Sequence, residues 1–299
     1  MKLTKYLIIK YWEKVAKTTE KILKLQPKFE NIEETRNIYY CEDGSIRHTL
    51  NIFYTKNSSG KQPIIIDIHG GGWFFGEKEI NDGYCMALAE YGFTVVNVDY
   101  TLAPANSVKE QIKEIDNAVK WVEENIEKFY GDTDKIVIAG DSAGGYLAAA
   151  FAAVKGSRKN CERYSVKYQP NLIKTCILTC GIYDFSFYAK SPIPAAYNYM
   201  KIILKEDYSR KTDISSIAAL IDGMLPPVFM SSSEQDIFRR QSIKFSRLLK
   251  EKNIEHTFAY IPKGVNGYPL DHVFNVMKFY LPEAKKLNDT AVKFIYEHI

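Results

Sequence analysis

Short runs of consecutive apolar residues alternate along this chain with stretches whose apolar positions recur every three to four residues. Pro63–His69, Thr94–Asp99 and Lys135–Ala139 are runs of the first kind, and Asn81–Tyr91 and Val108–Phe129 have the helical period. A strand that is apolar on both faces is buried on both faces, so strands of this kind separated by helices predict a parallel sheet with right-handed crossovers. Further units follow: strands Thr175–Cys180, Val228–Ser232 and His256–Ile261, a helix at Arg239–Lys252 and a closing helix at Asp289–His298. Upstream, Leu3, Leu7, Tyr11, Val15, Ile22 and Leu25 mark one or two amphipathic helices over residues 3–25, and strands are expected at Asn37–Cys41 and Ile46–Tyr54. The fold class is α/β.

One segment breaks the rhythm. From Phe185 to Pro226 no βα alternation is seen, and an insertion of that length in a compact domain commonly forms a lid or cap. Composition agrees with one large domain over residues 1–299: 46% of the residues are aliphatic, aromatic or Cys, enough for a sizeable core. The net charge of +4 comes from interspersed signs, and the densest basic stretch, Arg239–Lys252, carries apolar residues at helical spacing. That stretch is an amphipathic helix with a solvated face, and no nucleic-acid partner is expected. Five Cys is an odd number without a Cys-x-x-Cys pair, and Cys176 and Cys180 sit in an apolar run as core residues. The apolar run Tyr6–Ile9 is stopped by Lys10 with no cleavage site after it, and no run of eighteen apolar residues appears. The expected compartment is the cytoplasm, with no membrane span. No cofactor and no metal is expected, and the oligomeric state stays open, a homodimer included.

The chemistry is concentrated in two motifs. Gly140-Asp141-Ser142-Ala143-Gly144 follows a strand and opens the helical run that begins at Gly145. A strand-to-helix turn that sharp needs small neighbours and exposes the serine hydroxyl at the sheet edge, at a helix N-terminus that favours a developing anion. His69-Gly70-Gly71-Gly72-Trp73 ends another strand, and successive glycines let backbone N–H groups approach a ligand. A phosphate cradle would need the Gly-Lys-Ser/Thr ending that this loop lacks. Trp73, Phe74 and Phe75 suit an apolar acyl pocket instead.

His-Gly-Gly-Gly-Trp at 69–73 and Gly-Asp-Ser-Ala-Gly-Gly at 140–145, with Asp99-Tyr100-Thr101-Leu102-Ala103-Pro104 between them, resemble the hormone-sensitive-lipase-type esterase family of the α/β-hydrolase fold. The resemblance runs from about Lys61 to the C-terminus. It implies a mostly parallel sheet flanked by helices, an oxyanion hole from the N–H groups of Gly71, Gly72 and Ala143, and a helical cap from about 1–35 and 185–226. It also implies the order Ser, Asp, His for the catalytic residues. Of the three histidines after Ser142, His256 lies in an alternating strand and His298 in the closing helix, whereas His272 lies in a loop after a strand. Asp236 follows the strand Val228–Ser232; Asp271 is the rival acid, although adjacent residues seldom turn toward each other, and Asp213 and Asp222 fall in the cap. Ser142 is then the nucleophile, His272 the base and Asp236 its orienting acid.

Three departures from the family pattern carry expectations. Val273 stands where the family has Gly, and a β-branched residue resists positive φ, so the base loop is expected to differ in shape there. Ile237-Phe238 replaces Pro-Leu after the acid. Thr101 and Ala105 replace Arg and Glu, removing two charges that brace the family scaffold.

The function expected is a carboxylesterase that cleaves small, short-acyl esters through an acyl-enzyme. Trp73, Phe74 and Tyr183 would shape the pocket, with Phe185, Phe187, Tyr188, Tyr197 and Tyr199 in and around the insertion. An amidase or formamidase, or a sugar-ester deacetylase, would use the same triad. A non-catalytic ligand receptor on the same fold would not need the Ser and His that this chain retains.

Overall fold

The computed structural model describes residues 2–186, 194–205, 214–263 and 267–299. Its centre is an eight-stranded sheet in the order β1-β2-β4-β3-β5-β6-β7-β8. The strands are β1 (Ile32–Tyr39), β2 (Thr49–Thr55), β3 (Gln62–Ile68), β4 (Thr94–Val98), β5 (Gly131–Asp141), β6 (Ile173–Thr179), β7 (Val228–Ser233) and β8 (His256–Ile261). β1 and β2 pair antiparallel, β2 joins β4 antiparallel, and every pair from β4 to β8 is parallel.

The continuous apolar runs are explained by what covers them. Ile64, Ile66 and Ile68 of β3 face one core with helices α3 (Val108–Asn125) and α4 (Ala143–Lys155), while Ile65 faces a second core with α2 (Asp82–Ala89) and the closing helix Pro282–His298. α3 starts on a capping box in which Ser107 and Glu110 exchange backbone hydrogen bonds. The closing helix begins at Pro282, seven residues before the expected Asp289, because proline is tolerated at a first helical position. A helix α5 (Arg158–Tyr164), not expected from the pattern, follows α4 directly.

α1 is one helix, Lys2–Leu23. Residues from Ile32 on, placed at the end of the expected cap element, form β1, paired with β2 from Ile32↔Thr55 onward. Within the 185–226 insertion lie α6 (Pro194–Leu204) and a helical turn, Ile217–Leu220, and Met200, Ile203 and Leu204 are buried in the first core. Phe187, Tyr188, Asp213 and the side chain of Tyr197 lie outside the described residues. No described helix is long and apolar enough to cross a membrane.

Candidate active site

Ser142 sits between the end of β5 and the start of α4 with φ 52° and ψ −115°. That conformation is strained for a non-glycine residue and persists only where the surroundings hold it. Here the Ser142 N–H donates to the Thr179 carbonyl at 2.9 Å, and its own carbonyl accepts from Tyr146 at 3.2 Å and Ile182 at 3.3 Å. The turn is this tight because a side chain at Gly144 would lie 1.9 Å from the Ile68 carbonyl oxygen. The helix therefore packs directly onto the end of β3, and α4 begins at Ala143, whose N–H is one of the donors a helix N-terminus leaves without an internal partner.

His272 lies in the segment after β8. Its Nε2 is 2.9 Å from Ser142 Oγ and its Nδ1 is 2.7 Å from Asp236 Oδ1. Asp236 is fully buried just beyond β7. Burial pushes its carboxyl up, but the hydrogen bond and charge of His272, the Ser232 hydroxyl and the Phe238 N–H outweigh burial and hold it below the usual carboxylate range. The Ser232 hydroxyl donates at 2.7 Å and the Phe238 N–H at 2.9 Å, so the ionised carboxylate faces three donors. The other candidates are placed elsewhere. Asp271 pairs with Lys278 at 2.7 Å, His256 meets Ser246 Oγ and the Ile254 carbonyl, and His298 meets Glu255 and the Phe294 carbonyl. Asp222 faces Lys159 at the surface.

Two expectations about the scaffold change. The base loop keeps a left-handed residue in spite of its valine: Val273 has φ 54° and ψ 29°. Its carbonyl accepts from Val276 and Met277 at 3.0 Å each. These bonds help hold a conformation that costs about 1–2 kcal/mol for an L-residue. The surroundings of Thr101 are not left without charge either, since groups of α3 and of the segment before β2 meet there. Glu114 accepts the Thr101 N–H at 2.7 Å and lies 2.8 Å from His48 Nε2, and Arg47 lies 3.1 Å from Asp99.

The glycine loop leaves β3 through His69, which is buried, stacks on Tyr100 at 4.5 Å and meets Asp99 at 3.3 Å. It is a frame residue. Gly71 turns at φ 111°, where a side chain would lie 1.8 Å from the Phe75 carbonyl oxygen, and the Phe75 N–H closes the turn onto Gly71 O at 3.0 Å. Gly71 and Gly72 line the same cavity as Ser142 and His272, a space of about 730 Å³. Ala143 is buried beside Ser142 and is not part of that lining.

One wall of the cavity comes from α1, through Trp12, Val15, Thr18 and Ile22, and the lining also includes Ile237, Phe238 and Met277. Trp12 stacks on Phe75 at 5.2 Å. The pocket residues expected from sequence are redistributed. Trp73 lines the cavity, but its ring is buried between Tyr146 and Phe185. Phe74 and Tyr183 are corrections: Phe74 packs on Tyr199 at 4.7 Å, Tyr183 stacks in the core on Phe245 at 4.1 Å, and neither lines the cavity. Tyr199 does line it, and its hydroxyl donates to the Gly72 carbonyl. Trp12 was missed because helical spacing marks an apolar face without saying what that face meets.

Beneath the glycine loop lies a buried acid. Burial, joined by the negative charge of Asp141, pushes Asp67 up to about 7 against the opposing Asn81 amide, His69 and Cys85. Tyr84 and Cys85 beside it are both raised well above their ordinary values, by burial first. In an unfolded chain Asp67 would release its proton near pH 4. Between about pH 4 and 7 the native state therefore binds more protons, and this group's contribution to stability falls as pH rises through that window. Asp67→Asn removes the penalty. Its urea midpoint relative to the native protein should improve from pH 5 to pH 8, and a difference independent of pH would mean that Asp67 does not titrate there.

A family profile described as alpha/beta hydrolase fold matches residues 65–270. The chain is 26% identical over 244 residues to the carboxylesterase NlhH of Mycobacterium tuberculosis, covering 79% of this chain and 75% of that one. Among solved structures, esterase B of Lactobacillus rhamnosis inhibited by a tributyrin phosphonate is similar with TM-score 0.92 and 25% identity, over 99% of this chain and 96% of that chain. The hyperthermophilic esterase of Pyrobaculum calidifontis shares the fold, with TM-score 0.71 and 21% identity over 96% of this chain and 92% of that one.

Proposed function

Starting from the premise that this chain belongs to the hormone-sensitive-lipase-type family of the α/β-hydrolase fold and is a carboxylic ester hydrolase, we propose that it cleaves small, short-acyl esters through an acyl-enzyme on Ser142. The observation that carries this reading is the chain Asp236–His272–Ser142, joined at 2.7 Å and 2.9 Å and opening into the cavity. Neutral His272 takes the serine proton as Oγ attacks the ester carbonyl, and Asp236 fixes the imidazole tautomer and stabilises the imidazolium. The N–H groups of Gly71, Gly72 and Ala143 receive the oxyanion. His272 then protonates the leaving alcohol, and water, deprotonated by the same imidazole, releases the acid. Treatment with an organophosphate should label one site per chain at Ser142 and abolish ester hydrolysis. Unlabelled Ser142 in inhibited enzyme would overturn the assignment.

The short-acyl preference is supported by the similarity to an esterase captured with a tributyrin phosphonate and by the Trp12–Phe75 stack beside the glycine loop. A methylene contributes about 0.8 kcal/mol, and only where there is room to bury it. Trp12→Ala opens that wall, so kcat/KM for an octanoyl ester relative to a butyryl ester should rise about tenfold, the worth of roughly two further methylenes. An unchanged chain-length profile across p-nitrophenyl esters would place the acyl group elsewhere. Five unpaired cysteines support a cytoplasmic location.

A further inference from the structure

We propose that Asn81 is a positioning residue for the oxyanion loop: its side-chain amide bridges Asp67 and Asp141 and thereby fixes Gly70, and the glycines after it, against the nucleophile turn. The inference rests on the serine-esterase reading of the site.

The bridge is complete in hydrogen-bond terms. Asn81 Nδ2 donates to Asp67 Oδ2 at 2.8 Å and to Asp141 Oδ1 at 2.9 Å, which uses both amide hydrogens. Asp141 Oδ1 also accepts the Gly70 N–H at 3.0 Å. Asp141 immediately precedes Ser142, and Gly70 immediately precedes Gly71 and Gly72, so this one carboxylate joins the two halves of the site. There is no slack in the joint, because a side-chain atom at Gly70 would lie 2.4 Å from Asp141 Oδ2. Asp67 supplies the fixed end. It belongs to β3, where it is in register with Asn97 on β4 and Ala139 on β5, and it is 1% exposed.

A second observation separates this role from an ordinary structural one. Asn81 occupies the position before α2, where an asparagine side chain commonly caps the helix. Here it makes no capping hydrogen bond. The amide is committed to the two carboxylates instead, and Asn81 itself reaches the cavity lining beside Ser142. Without it, two buried carboxyl groups would lack their shared donor, and the Asp141 carboxylate would be free to turn away from Gly70.

Oxyanion donors act on the transition state more than on bound substrate, so a loosened loop lowers kcat and spares KM. In the full chain, Asn81→Leu should lower kcat for p-nitrophenyl butyrate by about 10- to 100-fold, with KM within about threefold, since removing one donor outright costs about 10²–10³. The Ki of a butyl trifluoromethyl ketone, which forms an oxyanion at Ser142, should weaken in the same proportion. Asn81→Ala, which leaves room for repacking, should behave alike. A kcat within threefold of native in either Asn81 variant overturns the proposal, as does a fall in kcat with undiminished ketone affinity. If both variants are insoluble, Asn81 belongs to folding and the proposal likewise falls. Organophosphate labelling of native Ser142 keeps the two readings apart. Failure there overturns the serine-esterase reading, whereas labelling with unimpaired Asn81 variants overturns only this one.

Discussion

Ser142→Ala should lower kcat by about 10³-fold or more, and His272→Ala should be nearly as damaging, because nucleophile and base act as one unit. The argument is geometric. A serine hydroxyl is a poor nucleophile unless a base takes its proton during attack, and the imidazole Nε2 that can do so is 2.9 Å away. Once either partner is removed, the other has nothing to act on, so the double variant should be little worse than either single one. His256→Ala is the control: its ring is held by Ser246 and the Ile254 carbonyl, on the sheet's edge strand. Steady-state kinetics on p-nitrophenyl butyrate check all four proteins. Substantial activity in Ser142→Ala, or equal losses in His256→Ala and His272→Ala, would remove the basis of the mechanism.

Asp236→Asn should lower kcat by about 10³- to 10⁴-fold, through the imidazole tautomer more than through lost charge. An amide that turns its NH₂ toward His272 Nδ1 forces the ring proton onto Nε2, the atom that must accept the serine proton. Asp271→Asn should change kcat by less than about threefold, although it adjoins the histidine in sequence, because its carboxylate points to Lys278. Its KM is the quantity more open to change, since Asp271 lies on the cavity wall. The opposite ranking of the two variants would assign the acid to Asp271.

What could be read from sequence divides along the range of the interactions involved. The turn around Ser142 is a local object: strand, small residues and helix follow one another within a dozen positions, and the same backbone geometry appears in the structure. The parallel sheet was legible for a related reason, since burial on both faces leaves uninterrupted apolar runs such as Ile64–Ile66. The pairing of Asp236 with His272 spans the sheet edge and was reached only through the order of residues in a resembling family. Beyond that, residue type stopped being informative. Phe74 and Tyr183 were expected at the pocket because aromatic residues crowd the nearby sequence, yet their rings are spent on Tyr199 and Phe245. Val273 shows the opposite failure. Its local preference argued against a left-handed turn, and the structure adopts one, with hydrogen bonds from Val276 and Met277 to the Val273 carbonyl. Asn81 was visible as the start of a helix, but nothing near it in sequence revealed two carboxylates waiting above and below.

The place of α1 in the cavity wall has a consequence for how the molecule is made. Some of its docking partners are close in sequence, as in the Trp12–Phe75 stack, and others lie near the other end of the chain: the Gln26 side chain, just past the helix, donates to the Met277 carbonyl at 3.0 Å, and Trp12 and Ile22 share the cavity with Phe238 and Met277. A ribosome extends a chain by about 5–20 residues per second, so the helix emerges on the order of ten seconds to a minute before the segment that receives it. During that interval part of its apolar stripe lacks the surface it will cover, as unfinished chains commonly do. Part of the cavity wall thus depends on a segment made about 250 residues after it.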